Sequence, residues 1–212
     1  MKSFLIIGTG KFGHYLCQSL AKYNCEIMVI DEDEESIQDL LPYVTTAKIG
    51  DCTNIEVLKS LGVDNFDACF ICIGENFQNS LEVTSLVKEL GAKLVISRAT
   101  KDIHAKFLLR NGADEVIHPD RDIAERIAKA SANSAIFDYI ELGEDFSIYE
   151  IETFKECIGK TISEVNFRKK YEANIVAVKC DGKIELPSPD YVFTGKEHLI
   201  VTGHNSLVEK NL

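Results

Sequence analysis

Short apolar runs alternate with longer amphipathic segments along roughly the first 140 residues of the chain. The short runs predict β-strands at residues 3–7, 26–30, 47–49, 68–73, 94–97 and 115–117. The segments between them repeat apolar positions at helical spacing and predict helices at residues 12–22, 34–41, 55–61, 78–90, 103–111 and 122–132. Strands that alternate with helices indicate βαβ units. We therefore expect an α/β fold, with a doubly wound parallel sheet of strand order 3-2-1-4-5-6.

This alternation ends near residue 143, where we place a boundary between a first domain of residues 1–143 and a second of residues 144–212. The helix that starts near residue 122 is expected to continue through Ile136 and Phe137 and to offer its apolar side to a second chain. The remaining apolar runs predict strands at residues 147–153, 175–179, 183–186 and 198–202. Asp181-Gly182 is a strong hairpin signal between two of them. The second domain is therefore expected to be small, with an α+β fold.

Composition narrows the function classes. The 212 residues are 45% apolar and 27% charged, which is typical of a globular protein, and the formal net charge is −11. Nucleic-acid binding needs a basic surface, so this acidic chain is not expected to bind DNA or RNA. The sequence contains neither an apolar stretch long enough to span a membrane nor the features of a signal peptide. We therefore expect a cytoplasmic protein.

The residue types that often mark catalysis give weak signals here. The chain has seven cysteines, and Cys69 and Cys72 form a C-x-x-C pattern inside a predicted strand. Strand residues three apart point to opposite faces, so these two thiols are expected to be buried separately rather than to share a metal or a disulfide. His118 ends the sixth predicted strand and is expected to be structural.

The first predicted strand runs directly into a glycine-rich turn, Gly8-Thr9-Gly10-Lys11-Phe12-Gly13, which is a G-x-G-x-x-G pattern. In a Rossmann-like fold the first glycine permits the tight turn, the second lets the backbone approach a phosphate, and the third lets helix and strand pack closely. The following helix would present free N–H groups and its positive dipole end to the phosphates. The strand before the turn and the helix after it make this a candidate dinucleotide or nucleotide site.

Asp31 ends the second predicted strand, 18 residues after Gly13. An acidic residue in this position accepts hydrogen bonds from ribose hydroxyls. The residues that follow are acidic and include no arginine for a 2′-phosphate, so NADP is disfavoured. We interpret the run from Glu32 to Glu35 as the solvated start of a helix.

Polar and small residues also follow the later strands, where ligands bind in such sheets. Asp51 and Thr53 are candidates for the base or the ribose, with helix capping as the equally weighted alternative. Gly74 would let a ligand or backbone pass close to the sheet, and Arg98 would meet either a phosphate or a surface carboxylate. The full set of predicted nucleotide-binding residues is Gly8, Gly10, Lys11, Phe12, Gly13, Asp31, Asp51, Cys52, Thr53, Ile73, Gly74, Asn76 and Arg98.

Four segments in this order resemble a known family: IIGTGKFG at residues 6–13, GDCT at 50–53, IGEN at 73–76 and GADEVIHPD at 112–120. They are similar to the RCK domain (regulator of conductance of potassium) of the KtrA/TrkA family of potassium-uptake regulators. Residues 175–179 and 198–203 resemble strands of the RCK C-terminal domain. The resemblance covers nearly the whole chain and is closer to the single-RCK form than to the duplicated one.

The resemblance implies a regulatory subunit rather than an enzyme. Adenine nucleotides would bind in the Rossmann crevice, with ATP favouring the active state and ADP the inactive one. Dimers would assemble into an octameric ring beneath a membrane potassium transporter subunit of the KtrB or TrkH type. The chain would then be peripheral on the inner face of the cell membrane.

Three finer expectations also follow from the resemblance. Relatives often carry an arginine where this chain has Lys11, and that side chain reaches a neighbour's γ-phosphate. Asp120 stands where an acidic residue of the family helps to hold a divalent cation, Mg²⁺ or Ca²⁺, between subunits. Arg168, Asn174 and Ile175 fall in the region where some relatives bind cyclic di-AMP.

The same glycine turn and acidic residue would also suit NAD or NADH. An NAD(H)-binding sensor or an NAD-dependent oxidoreductase is therefore the alternative reading. An oxidoreductase usually needs a substrate domain that bears an acid–base residue. Here about 65 residues follow the predicted sheet, with His198 and His204 as the obvious candidates.

Overall fold

The computed structural model describes residues 1–143 and 145–206. These residues divide into two compact units, with the division between Asp120 and Arg121. The first unit is built on a six-stranded parallel sheet of order β3-β2-β1-β4-β5-β6. Its strands are β1 (Lys2–Ile7), β2 (Cys25–Asp31), β3 (Thr46–Ile49), β4 (Ala68–Ile71), β5 (Val95–Arg98) and β6 (Glu115–Ile117). The expected strand order and the α/β class are confirmed.

A helix follows each strand of this sheet. The helices are α1 (Lys11–Leu20), α2 (Glu34–Gln38), α3 (Ile55–Leu61), α4 (Phe77–Glu89), α5 (Asp102–Arg110) and α6 (Pro119–Ala132), the last of which continues into the second unit. Asn54 and Asn76 cap the N-termini of α3 and α4 by accepting hydrogen bonds from backbone N–H groups in the first turn. Strand β4 ends at Ile71, two residues earlier than predicted, so Cys72 and Ile73 belong to the loop that follows it.

Successive residues of β1 point to opposite faces of the sheet, and both faces are covered. Leu5 and Ile7 pack in one apolar cluster, and Ile6 packs in another. Cys69 and Cys72 separate into the same two clusters, as their spacing predicts. A strand that is buried on both faces must be apolar throughout, which explains why the sequence of β1 reads as one continuous apolar run.

The second unit contains a five-stranded sheet of order β10-β9-β11-β8-β7, in which every neighbouring pair is antiparallel. Its strands are β7 (Ile136–Gly143), β8 (Phe146–Glu152), β9 (Ala173–Cys180), β10 (Lys183–Glu185) and β11 (His198–His204). Two short helices, α7 (Ile162–Val165) and α8 (Phe167–Tyr171), precede β9. Asp181 and Gly182 both have positive φ and form the predicted hairpin turn between β9 and β10.

Strand β7 corrects one expectation. Ile136 and Phe137 do not continue a helix, because α6 ends at Ala132 and both residues belong to β7, in which Ile136 pairs with Ile151 of β8. The β7–β8 register shifts between Ile136 and Asp138, which lets Ile136 and Tyr139 both be buried although they are three residues apart. That spacing imitates a helix in the sequence. The boundary predicted at residue 143 falls at the end of β7, after the first strand of the second sheet.

None of the helices that the structure describes combines the length and the apolar character needed to cross a lipid bilayer.

Candidate functional site

A cleft lies at the carboxyl ends of strands β1, β2, β4 and β5 in the first unit. Its volume is about 790 Å³, which is within the roughly 300–1,000 Å³ typical of small-molecule sites. Most of the residues predicted from sequence line it: Gly8, Gly10, Lys11, Asp31, Asp51, Cys52, Thr53, Ile73, Gly74, Asn76 and Arg98. Polar side chains from separate segments thus meet in one place because parallel strands end at one edge of the sheet.

The three glycines of the turn have different structural roles. Gly8 has φ +95°, and a Cβ there would lie 3.1 Å from the backbone nitrogen of Ile73. A Cβ on Gly13 would lie 2.1 Å from the carbonyl oxygen of Gly8, so the turn cannot close around a larger residue. A Cβ on Gly10 would meet nothing within 4 Å. Gly10 therefore leaves space open in the cleft, whereas Gly8 and Gly13 permit the fold of the turn.

Helix α1 begins at Lys11, immediately after Gly10, and its N-terminus faces this open space. The N–H groups of a first helical turn have no carbonyl of a preceding turn to bond, and they carry the positive end of the helix dipole. Lys11 is exposed and lines the cleft. The glycine turn can therefore accept an anionic group close to the backbone, with a cation beside it.

Asp31 lies directly beside the glycine turn and is fixed by three hydrogen bonds. Its Oδ2 accepts the backbone N–H of Thr9 at 2.6 Å and the Thr9 hydroxyl at 2.9 Å, and its Oδ1 accepts the backbone N–H of Asp33 at 3.0 Å. The Thr9 hydroxyl also contacts the hydroxyl of Ser36 at 2.5 Å. The carboxylate is thus held at the edge of the cleft, where a ribose would be recognised.

Asp51 and Thr53 bond to each other rather than cap a helix. The Asp51 carboxylate accepts the backbone N–H of Thr53 at 2.8 Å and its hydroxyl at 2.7 Å, while Asn54 caps α3. The two hydrogen bonds from Thr53 hold the pKa of Asp51 below its usual value. Asp51 is therefore an ionised and exposed acceptor at the mouth of the cleft.

Arg98, at the end of β5, also lines the cleft and lies next to Gly74. Its Nη1 would be 2.7 Å from a Cβ on Gly74, so that glycine makes room for the guanidinium. Nη2 donates to Oδ2 of Asp120 at 3.0 Å, and the guanidinium carbon lies 5.9 Å from the centre of the Phe12 ring. The Nε of Arg98 is buried and bonds to no group among residues 1–143 and 145–206. Both roles considered for Arg98 are therefore compatible, because it pairs with a carboxylate and still faces the cleft.

The charges that line the cleft are mostly negative. Lys11 and Arg98 are accompanied by the carboxylates of Asp31, Glu32, Asp51, Glu75 and Asp120. A phosphate is therefore expected to bind at the start of α1, next to Lys11, with hydroxyl or amide groups of the ligand near the carboxylates.

Two buried cysteines also reach the cleft. Burial, helped by the nearby charges of Asp31 and Asp51, raises the pKa of the Cys52 thiol to about 12. Burial also raises the pKa of Cys72 to about 12. Both side chains are therefore protonated at neutral pH, which suits apolar contacts with a ligand and not nucleophilic attack.

His118 is 8% exposed and lies in the interior of the first unit, as expected for a structural histidine. Nearby His104 is also buried; its Nδ1 accepts from the backbone N–H of Thr100 at 3.4 Å, and its Nε2 lies 3.2 Å from the hydroxyl of Ser80. Burial, and secondarily His118, lower the pKa of His104. Because Thr100 lines the cleft, His104 supports the cleft wall from behind.

The other residues singled out from the sequence lie away from the cleft or behind it. Phe12 and Gly13 support the turn rather than line the cleft. Arg168 lies on α8, and Asn174 and Ile175 lie on β9, all in the second unit. In the part of the chain that the structure describes, no three His, Cys, Asp or Glu side chains cluster closely enough to hold a metal ion.

Sequence reasoning missed Thr9, which is the variable residue between the first two glycines and yet holds Asp31. A hydroxyl at that position was the only signal. Asn79 and Thr100 were also missed, although both line the cleft. Asn79 lies within α4, and its backbone N–H donates to the Asn76 cap at 3.1 Å.

Known proteins match both units. The TrkA-N domain family matches residues 4–119, and the TrkA-C domain family matches residues 148–210. The chain is 40% identical to Ktr system potassium uptake protein C of Bacillus subtilis (strain 168) over 204 residues, which cover 95% of this chain and 92% of that protein. It is 33% identical to Ktr system potassium uptake protein A of the same organism over 210 residues, covering 99% of this chain and 95% of that protein.

Solved structures support the fold. The RCK domain of GsuK matches with a TM-score of 0.68 at 22% identity, covering 98% of this chain and 46% of that one. The GsuK channel bound to NAD matches with a TM-score of 0.66 at 20% identity, covering 98% of this chain and 38% of that one. The chain thus spans less than half the length of these GsuK chains, and at this identity the likeness concerns the fold.

Proposed function

This chain belongs to the Ktr and Trk family of potassium-uptake proteins, and we propose that it is a nucleotide-sensing regulatory subunit of a membrane potassium transporter. ATP and ADP are the proposed ligands, and the cleft of the first unit is the proposed site. The protein would convert the occupancy of that cleft into a change in transporter activity, without catalysing a reaction of its own.

The observation that carries this proposal is the convergence of three features on one cleft. Gly10 leaves room for a phosphate at the start of α1. Lys11 and Arg98 supply positive charge to the same cleft. Asp31 lines the same cleft beside the glycine turn, with its carboxylate held in place by Thr9. An adenosine nucleotide has an anionic phosphate end and a ribose with two hydroxyls. The space at Gly10 and the two cations suit the phosphates, and the carboxylate of Asp31 suits the ribose hydroxyls.

NAD or NADH remains the second candidate ligand, because the same three features suit a pyrophosphate and a ribose. Among the structurally similar proteins, GsuK has been solved both as a channel bound to NAD and in a form bound to ADP. The predominantly acidic lining favours a ligand that presents hydroxyl or amide donors as well as phosphate, which both nucleotide classes do.

Isothermal titration calorimetry with ATP, ADP, NAD and NADH tests the site. We expect ATP and ADP to bind with higher affinity than NAD and NADH. Asp31→Ala should weaken the binding of the adenine nucleotides by about 1–3 kcal/mol, because charged hydrogen bonds to the ribose are lost. Glu34→Ala, in the exposed acidic run nearby, is the matched control and should leave affinity unchanged. Equal affinity in wild type and Asp31→Ala would remove the proposed site.

The oxidoreductase alternative predicts turnover. Both cysteines of the cleft are held as thiols by their raised pKa values, and His104 and His118 are buried. We expect no sustained oxidation of NADH with a panel of carbonyl substrates, measured by absorbance. Substrate-dependent turnover that is lost in Asp31→Ala would make the enzyme the better interpretation.

Self-association is part of the proposed function, with a dimer as the smallest unit and an octameric ring as the assembly. Ile123 and Ile127 on α6 are 53% and 59% exposed, and α6 buries none of its residues within the chain. A helix with unburied isoleucines suits contact with a second copy. Light scattering should show at least a dimer at micromolar concentration. Replacement of both isoleucines by serine should shift the protein toward monomer.

The remaining expectations concern ligands of the assembled protein. Asp120 would help to hold Mg²⁺ or Ca²⁺ between subunits, and its pairing with Arg98 leaves it 83% exposed at the side chain. Cyclic di-AMP would contact Arg168, Asn174 and Ile175 in the second unit. The partner would be a membrane potassium transporter subunit, and ATP-dependent potassium flux through that transporter in vesicles, with and without the added chain, tests the regulatory role.

A further inference from the structure

Arg98 and Asp120 form an ion pair in the proposed nucleotide cleft, and both residues line that cleft. Nη2 of Arg98 donates to Oδ2 of Asp120 at 3.0 Å. The partners differ in exposure, since 20% of the Arg98 side chain and 83% of the Asp120 side chain are accessible to solvent. An ion pair with so exposed a carboxylate contributes little to stability, because water and salt screen it. A stronger anion in the cleft can therefore break the pair.

The guanidinium of Arg98 has donors that this pair does not use. A guanidinium carries five N–H groups in one plane, and two of its nitrogens can bind one phosphate side by side. The Nε of Arg98 is buried and lacks a hydrogen-bond partner among the described residues. A buried donor without a partner destabilises the arrangement to which it belongs. A phosphate that drew the guanidinium away from Asp120 would satisfy more of these donors.

Arg98 also lies close to the turn at which a phosphate is expected. Its guanidinium carbon is 5.9 Å from the centre of the Phe12 ring, and Phe12 is the second residue of α1. Gly74, which makes room for Nη1, directly follows Ile73, and the backbone nitrogen of Ile73 is 3.1 Å from the position of a Cβ on Gly8. A ligand with two phosphates that binds at the start of α1 would therefore bring its second phosphate toward Arg98.

A phosphate and the carboxylate of Asp120 compete for this guanidinium, because two anions bound side by side on one cation repel each other. Asp120 is the second residue of α6, and α6 buries none of its residues. Farther along the helix, Nε of Arg126 donates to Oδ1 of Asp138 on β7 at 2.7 Å. Polar contacts of this kind therefore contribute to holding α6 in place, and loss of the Asp120 pair would free the start of the helix.

We propose that Asp120 is an internal competitor for the phosphate site at Arg98, and that a bound nucleotide displaces Asp120 and thereby loosens the start of α6. The inference rests on the proposed function, since it requires a nucleotide phosphate in the cleft. Asp120 is a positioning residue, because it acts on the ligand through Arg98. Since α6 continues along the chain into the second unit, the exchange connects occupancy of the cleft to the segment that joins the two units.

Calorimetric titration with ADP measures the competition, in buffer with a chelator so that no divalent cation contributes at Asp120. Asp120→Asn should raise ADP affinity about two- to fivefold, the range expected for release of an exposed ion pair. Asp122→Asn is the matched control, because it removes the same charge two residues farther along the same helix, where Asp122 pairs with Arg121. This control should leave ADP affinity unchanged.

A second background separates competition for the guanidinium from general repulsion between anions. Arg98→Met keeps an unbranched apolar stem beside Phe12 and removes the charge, so it should itself weaken ADP binding by about tenfold or more. In the Arg98→Met background, Asp120→Asn should change ADP affinity by less than about 1.5-fold. No pair is left to release there, and salt screens the exposed carboxylate.

Hydrogen exchange followed by mass spectrometry tests the effect on α6. ADP should speed exchange in peptides from α6 in wild type and in Asp122→Asn. In Asp120→Asn these peptides should already exchange faster without ADP and should not respond further to it. This measurement does not depend on Arg98→Met, and thermal unfolding of each variant checks that the fold is retained.

The outcomes separate this inference from the proposed function. If wild type binds ADP but Asp120→Asn does not bind it more tightly, or gains equally in the Arg98→Met background, Asp120 does not compete for Arg98 and the inference is overturned. Exchange in α6 that stays the same or slows when wild type binds ADP would overturn it as well, since the nucleotide would not have loosened the helix. If wild type does not bind ADP at all, the proposed function itself fails.

Discussion

The two units of the chain differ in where their polar side chains lie and in what these side chains contact. In the first unit, polar groups gather beyond the ends of parallel strands, where Asp31 and Arg98 are held by intramolecular contacts and still line a cleft. In the second unit, charged side chains lie across the antiparallel sheet and pair with one another. Glu150 on β8 accepts Lys179 of β9 at 2.8 Å and Nδ1 of His198 of β11 at 2.7 Å.

The difference follows from the two kinds of sheet. Side chains that share one face of an antiparallel sheet lie close together, so opposite charges can pair across that face, as Lys179 of β9 reaches Glu150 of β8 past the intervening strand β11. Both faces of the parallel sheet are covered by helices, so its polar groups are confined to the strand ends, where backbone N–H groups are also available. The charge pairs across the antiparallel sheet stabilise the fold of the second unit, whereas the polar groups at the ends of the parallel strands remain able to bind a ligand. Substitutions of these polar residues should therefore lower stability in the second unit and weaken ligand binding in the first unit. The exception is the glycine turn of the first unit, where a substitution can also disturb the fold.

Gly13→Ala is this exception and has the largest expected effect. It tests whether the glycine turn, which forms part of the ligand site, can fold with a side chain at this position. The added Cβ would lie 2.1 Å from the carbonyl oxygen of Gly8, a backbone atom that cannot rotate away, and 3.4 Å from the Cβ of Cys72. We expect a loss of about 3 kcal/mol or more in stability, which outweighs the roughly 1 kcal/mol that alanine gains over glycine in a helix. Chemical denaturation followed by circular dichroism measures it. A variant as stable as wild type would show that the turn relaxes easily.

Gly10→Ala should separate binding from folding within the same turn. Its Cβ meets no protein atom within 4 Å, and its φ of −57° is open to any residue, so stability should change by less than about 1 kcal/mol. The methyl group would enter the space proposed for the phosphate, and we expect ATP and ADP affinity to fall by roughly tenfold or more. Calorimetry beside thermal unfolding measures both quantities. Unchanged affinity would move the phosphate away from Gly10.

These two glycines also show what the sequence could predict. The pattern G-x-G-x-x-G located the turn, and the apolar runs located all six strands of the first sheet with their order, because strands buried on both faces leave a continuous signal. The pattern also assigned close packing to Gly13 and open space to Gly10, but it could not tell that Gly8 is crowded by Ile73, since that depends on where the loop after β4 passes. The spacing from the glycine turn identified Asp31. The hydrogen bond from the Thr9 hydroxyl to Asp31 could not be predicted, because the pattern allows any residue at position 9.

Two features of the fold have no clear signal in the apolar pattern. The helix after residue 122 was predicted to continue through Ile136 and Phe137, but these residues begin β7, where the register shift after Ile136 gives buried positions a helix-like spacing. On α4 the buried face includes Ser80 and Thr84, which the apolar pattern passes over. The Thr84 hydroxyl lies 3.0 Å from that of Ser97 on β5, so their burial is compensated by tertiary hydrogen bonds that no local pattern reveals.

Glu150→Gln tests the second unit. Burial of Glu150 raises the pKa of its carboxyl, but the hydrogen bonds from Lys179 and His198 outweigh burial and hold that pKa below its usual value. A depressed carboxyl pKa adds stability above the pKa of the unfolded chain, about 4.3, and this stability is lost as pH falls through the lower folded value. We expect Glu150→Gln to destabilise the protein by about 1 kcal/mol at pH 7, with no effect on nucleotide affinity.

The pH dependence distinguishes this from a packing effect. The stability difference between wild type and Glu150→Gln should shrink as the pH falls below about 4.3, measured by denaturant titration across that range. Glu152→Gln is the matched control, because Glu152 is exposed and lies two residues along the same strand. A difference that persists unchanged at acid pH would indicate that the ion pairs contribute nothing and that shape alone matters.

Lys11 offers the finest test of the cleft as a sensor, because its replacement should change the difference between two ligands and not the binding of both. ATP differs from ADP by one phosphoryl group, so discrimination must come from side chains that reach the γ-phosphate, and Lys11 is an exposed cation at the start of α1. A ligand shifts a conformational equilibrium only through its different affinities for the two states. We expect Lys11→Ala to reduce the ATP-to-ADP affinity ratio by up to about tenfold while leaving ADP affinity nearly unchanged. Lys11→Arg adds a planar fork of donors and should raise the ratio. Titration of both nucleotides against the three proteins measures it, and a ratio that is the same in all three would mean that Lys11 is a solvated surface lysine and that the γ-phosphate is read elsewhere.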